Sequence, residues 1–118
     1  MNVEGRPYSV YIGERVSLAH QSQIHGPAAV CDDAFLAMQT LVFNANVGKG
    51  SVLEPKSGAF GVDIPENRYV PAGMMITKQE DADALPEIFE GYFFENTNRE
   101  VVSVNIELAK GYRKKSEK

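Results

Sequence analysis

The chain has no tryptophan, one cysteine and only two histidines among its 118 residues. A single cysteine, Cys31, excludes an internal disulfide and fits a reducing compartment, so a cytoplasmic protein is expected. No apolar run approaches the ~20 residues that span a bilayer, and the opening MNVEGRPYSV lacks the charged-then-apolar layout of a secretory leader. Basic excess is also missing. A net charge of −4 and a pI near 5.1 argue against a nucleic-acid surface. These absences leave a small acidic protein, expected to be one domain over residues 1–118 with no nucleic acid and no membrane among its partners.

What is present is a six-residue period. Ile12, Leu18, Ile24, Val30 and Leu36 are all branched aliphatics, and Val16, Ser22, Ala28, Ala34 and Thr40, each four residues later, are all small or β-branched. The pattern slips by one residue and resumes at Val47 and Leu53, followed by Ser51 and Ser57. Neither an α-helix nor an amphipathic strand has this period. A parallel β-helix does: each hexapeptide makes one short strand and a corner, and three make a triangular coil. The aliphatic residue fills the prism, the small one fits the corner, and Gly13, Gly26, Gly48 and Gly50 sit where the backbone turns. A sandwich of alternating strands is the competing architecture. Residues 12–59 supply fewer than three coils, so a partner is expected to support so short a solenoid.

The second half reads differently. FGVDIPENRYVPAGMMIT, interrupted by Pro65 and Pro71, predicts short strands and turns closing the coil. DADALPEIFEGYFFEN predicts a weak helical turn and a loop whose aromatics need a surface to pack on. Thr97 and Glu100 form a T-x-x-E capping box, which places a C-terminal helix over about 97–115 with lysines and arginines in its last turn. Asn105 falls on its apolar stripe, where a buried amide either bonds the solenoid edge or points into a site.

Both histidines, His20 and His25, lie in LAHQSQIHGPAAV, at outward positions of the hexapeptide frame. Histidine is the commonest zinc ligand, but a catalytic zinc usually takes three protein ligands. An outward pair separated by a corner does not readily grip one ion within one chain. Three solenoids around a threefold axis set His20 of one copy against His25 of the next. The alternative is a pair of surface histidines bonded to Gln21, Gln23 or backbone. Cys31 lies on a corner a hexapeptide away and reads as a corner residue, and Asp32–Asp33 beside it as a solvated turn.

YSVYIGERVSLAHQSQIHGPAAV, VLEPKSGAFGV, IPENRYVPAGMMIT, the LP of DADALPE and TNREVVSVNIELAKGY together resemble the C-terminal part of the γ-class carbonic anhydrases, methanogen-type first and carboxysomal γ-like scaffolds next. The resemblance implies a left-handed β-helix, all-β with a C-terminal α-helix packed alongside, assembled as a homotrimer. It implies zinc (iron or cobalt in some members) held between subunits by three histidines, two of them matched by His20 and His25. It implies an active-site role for Asn105 and the reversible hydration of CO2 to bicarbonate, a lyase reaction in which metal-bound hydroxide attacks CO2. The family's first metal histidine, with its nearby polar residues, lies upstream of the matching region, and Ser103 stands where the methanogen-type enzyme has a tyrosine. The expected function is therefore a minimal carbonic anhydrase whose third ligand is water or a substitute such as Glu4 or Tyr8. The alternatives are a non-catalytic trimeric scaffold or bicarbonate-binding protein, and one half of a split enzyme. Hexapeptide acyltransferases share the coil without these motifs.

Overall fold

A computed structural model of the chain describes residues 9–95 and 97–101, together with the backbone of residues 2–3 and 6–7. A small antiparallel pair, β1 (Asn2–Val3) with β2 (Arg6–Pro7), precedes the solenoid. The first coil is β3 (Val10–Ile12), β4 (Ser17–Leu18) and β5 (Gln23–His25); the second is β6 (Ala28–Val30), β7 (Phe35–Leu36) and β8 (Leu41–Phe43). The third is β9 (Asn46–Val47), β10 (Val52–Leu53) and β11 (Gly58–Phe60), and the fourth is β12 (Asp63–Ile64), β13 (Tyr69–Val70) and β14 (Met75–Ile76). Equivalent strands pair in parallel, giving the three sheets β3-β6-β9-β12, β4-β7-β10-β13 and β5-β8-β11-β14. This is the parallel solenoid that the hexapeptide period demands, consistent with a left-handed β-helix and not with a sandwich.

The solenoid is longer than expected, with four coils rather than fewer than three. FGVDIPENRYVPAGMMIT contributes most of the fourth coil, because Pro65 and Pro71 fall just after β12 and β13, where no ladder N–H is required. The slip in the frame has a physical origin too. Register advances by 18 residues from the first coil to the second (Ile12↔Val30) and by 17 thereafter (Val30↔Val47, Ile64↔Val47). The lost residue comes from the corner after β8, where Asn44 adopts φ 48°; Gly61 turns the next such corner at φ 69°.

Most corners are not turned by glycine. Arg15, Asp33, Gly50 and Asn67 occupy equivalent positions at φ 54°, 63°, 71° and 54°, and Gln21, Gln39, Lys56 and Gly73 form a second such column at φ 62°, 58°, 62° and 75°. Left-handed backbone is uncommon outside glycine; here every coil repeats it. Of the glycines expected at turns, only Gly50 adopts left-handed backbone, while Gly26 lies in the corner between β5 and β6 without it. Gly26 serves close approach instead, since a Cβ there falls 2.1 Å from the Ser9 carbonyl oxygen.

Inside the prism, Val30, Leu36, Val42, Val47, Leu53, Ala59, Ile64, Val70 and Ile76 are buried, and Ala28, Ala34, Thr40, Ser51 and Ser57 fill the corners. The first coil differs. Ile12 and Leu18 hold inward positions yet remain 40% and 46% exposed, because among the described residues nothing pairs with the free edges of β3, β4 and β5. The opposite end is closed by α1 (Gln79–Asp83) and the following turn, with Ala82 and Leu85 buried against the core.

The aromatic loop finds its surface on the β4-β7-β10-β13 face. Tyr92 stacks on Tyr69 with centroids 4.5 Å apart, and Phe94 lies 5.9 Å from Phe35. The Tyr92 hydroxyl donates to the Glu54 carboxylate, whose other oxygen accepts the Ala72 N–H at 3.1 Å. Burial first, and then the bond to Glu54, push the Tyr92 phenol well above its usual range. The unfolded chain releases this proton near pH 10 and the folded chain keeps it. The linkage therefore stabilises the fold fully below pH ~10 and weakens as pH rises above it. Tyr92→Phe is expected to cost about 1–2 kcal/mol at pH 7 and to flatten the alkaline loss. Urea unfolding at pH 7 and pH 10.5 checks both; equal alkaline slopes in the two proteins refute the assignment.

Residues 97–101 are helical, and Thr97 already lies inside the helix, its N–H donating to the Phe94 carbonyl at 3.3 Å. Thr97 is thus not the residue before the first turn, a one-residue difference from the capping-box expectation. The Asn98 amide donates to the Arg15 carbonyl at 2.6 Å, tying this helix to the first coil. The remainder of the expected helix, with Ser103 and Asn105, lies outside the described residues. No helix among the described residues is long and apolar enough to cross a membrane.

Candidate metal half-sites on the first coil

His25 ends β5, the free edge strand of its sheet, and its side chain is exposed. Its Nδ1 lies 2.9 Å from the Gly26 carbonyl oxygen. A carbonyl only accepts, so Nδ1 carries the proton and Nε2 keeps a lone pair. In the neutral ring this tautomer leaves Nε2 available as a ligand, its form set by a hydrogen bond to the other ring nitrogen. The ring also lies flat on Phe43, with centroids 4.7 Å apart and planes 22° from parallel.

His20 occupies the turn between β4 and β5, exposed to solvent. Its carbonyl accepts the Gln39 N–H at 3.0 Å, and the Ser22 hydroxyl donates to the Ala19 carbonyl at 2.8 Å, so the turn itself is well defined. Gln39 donates from Nε2 to Gln21 Oε1 at 2.7 Å. Those two amides thus bond across coils, to one another. Among the described residues, no three of histidine, cysteine, aspartate or glutamate gather closely enough to hold a metal. Two outward imidazoles therefore exist, with no third donor beside either among the described residues.

Cys31 sits on the corner after β6, its N–H donating to the Val47 carbonyl at 2.9 Å. Burial, followed by the Asp32 and Glu66 carboxylates, pushes its thiol up, which disfavours the thiolate that a metal needs. The neighbouring aspartates lie in a turn open to solvent, as expected, and both also bond the coil below. Asp33 receives a bidentate pair from Arg15 (Nε 2.7 Å, Nη2 3.2 Å), and Asp32 accepts the Glu14 N–H at 2.8 Å. Both stitch the second coil to the first, and the Arg15 bond holds the Asp33 carboxyl below its usual range. A groove of about 630 Å³ runs along this corner between Arg15, Asp33, Lys49, Glu66, Glu95 and Arg99. It contains no histidine, and its charges of opposite sign offset one another.

Phe43 was not visible as a site residue in the hexapeptide frame, which tracks only inward positions. Its signal is the coil length, since His25, Phe43 and Phe60 follow one another by one coil each.

The fold and site define a parallel β-solenoid protein with two exposed histidines on its first coil. No protein-family profile matches the chain. It is 56% identical over 116 residues, 98% of its length, to a carbonic anhydrase of Methanosarcina thermophila, and covers 47% of that protein. It is 51% identical over 69% of its length to the carboxysome assembly protein CcmM of Synechococcus elongatus, and 41% identical over 72% to CcmM of a Nostoc species, covering 15% of each. The chain resembles the C-terminal part of a γ-class carbonic anhydrase and spans about half the length of the carbonic anhydrase it matches.

Proposed function

We propose that the chain supplies two of the metal ligands of a γ-class carbonic anhydrase, His25 from one copy and His20 from its neighbour in a homotrimer, for the reversible hydration of CO2 to bicarbonate. The observation that carries this reading is the His25 tautomer, with Nδ1 engaged and Nε2 free at an outward position, in a chain 56% identical to a carbonic anhydrase. Two imidazoles suit zinc, and also iron or cobalt, in kind. They fall short in number, so the site takes its third donor from residues equivalent to the unmatched part of the relative, from a carboxylate or from water. When bound, zinc lowers the pKa of a ligated water to ~7 and so supplies a nucleophile at neutral pH. The chain's own contribution is to orient the two imidazoles and, through Asn105, whose active-site role the family resemblance implies, to offer an amide that can donate to substrate oxygen.

Similarity to the carboxysome assembly proteins supports a second reading, a non-catalytic trimeric scaffold or bicarbonate-binding protein. One half of a split enzyme is a third. Metal analysis of the purified chain, with stopped-flow proton release from CO2, separates them. The expected result is about one metal per chain, lost in His20→Ala and in His25→Ala, with hydration only in the wild type. A wild type without stoichiometric metal overturns the metalloenzyme reading, and stoichiometric metal without hydration favours the scaffold.

A further inference from the structure

We propose that Phe43 is a positioning residue for His25, holding the imidazole in a stack so that Nε2 is presented in one orientation, with Phe60 backing Phe43. The proposal rests on the metal-site reading for its purpose. Its geometry stands independently.

The three rings form one column on the outer surface of the β5-β8-β11-β14 sheet. His25 pairs in register with Phe43, and Phe43 with Phe60. Centroids are 4.7 Å apart at 22° for the first pair and 4.9 Å at 7° for the second. Phe60 remains 47% exposed, so core filling does not account for it.

The column supplies what β5 lacks. As an edge strand, β5 has no described neighbour on its free side, and the second torsion of an exposed histidine is broad. One hydrogen bond, from Nδ1 to the Gly26 carbonyl, leaves the ring free to tilt about it. Lying flat on Phe43 removes that tilt. Together the two contacts fix both the tautomer and the direction of the Nε2 lone pair before any ligand arrives, which lowers the ordering cost of binding. A metal-bound imidazole also carries more positive charge, which the negative face of Phe43 favours. Among the described residues no aromatic ring lies against His20, so of the two imidazoles only His25 is held by a stack.

The test begins on metal-free protein. Long-range 1H–15N correlation is expected to show one His25 tautomer, protonated at Nδ1, in the wild type. Phe43→Leu is expected to show both tautomers in exchange, and Phe43→Tyr to restore the single one. Zinc titration against a competing chelator is expected to show roughly 2- to 10-fold weaker binding in Phe43→Leu, with Phe43→Tyr close to wild type. A folded Phe43→Leu protein with wild-type tautomer and zinc affinity overturns the proposal. If Phe43→Leu does not fold, Phe60→Leu, at a half-exposed position, is expected to shift tautomer and affinity in the same direction by a smaller factor; no shift there refutes the column. Unchanged zinc affinity in His25→Ala refutes the metal site instead, and the tautomer measurement still decides the role of Phe43.

Discussion

Leu36→Ala is expected to destabilise the fold by about 3–4 kcal/mol, whereas Leu18→Ala, in the same column, costs less than about 1 kcal/mol. Leu18, Leu36, Leu53 and Val70 follow one another up one sheet of the prism. Leu36 is fully buried between Leu18 below and Leu53 above, and truncating it leaves a cavity that rigid parallel strands cannot close. Leu18 is 46% exposed, so its truncation removes fewer contacts and leaves no enclosed void. A solenoid is stabilised chiefly by contacts between adjacent coils, so the Leu36 cavity also uncouples the first coil, which carries both histidines, from the rest. Against a total stability of ~5–15 kcal/mol for a domain, this one change takes a large share. Urea midpoints for the two variants check the contrast. Equal losses mean that the end of the first coil is covered in solution.

The same column shows what was legible. Ile12, Leu18, Ile24, Val30 and Leu36 declare the coil because the prism interior accepts little but branched aliphatics. The frame fades where Ala59 takes an inward position and prolines flank β12 and β13, and so most of the fourth coil was read as a closing segment. Left-handed corners were missed for a different reason. Gly50, Asn67 and Gly73 carry a turn signature, but the equivalent corners at Arg15, Gln21, Gln39 and Lys56 do not, and only their spacing marks them. The Arg15–Asp33 pair was hidden in the same way, its partners lying 18 residues apart. The histidines were placed outward correctly, since that follows from the frame alone. Their surroundings depend on which coil lies above, so the Phe43 stack becomes visible only once the coil length is known.

Mixing His20→Ala with His25→Ala chains is expected to restore about a quarter of wild-type metal sites and hydration, although either variant alone is inert. The proposed site takes His20 from one copy and His25 from the next. In a random one-to-one assembly, an intact site needs the His25→Ala chain on the first side and the His20→Ala chain on the second. Each condition holds half the time. A site built within one chain behaves in the opposite way, since every chain in the mixture lacks one ligand and nothing is restored. The geometry favours the first outcome: both imidazoles are exposed, a hydrogen-bonded turn separates them, and no third donor joins either among the described residues. Co-expression of the two variants followed by metal analysis distinguishes the cases, and zero recovery from co-assembled chains disproves the shared site. Recovery near a quarter also makes assembly a condition for the chemistry, because a lone copy then holds two half-sites and no complete one.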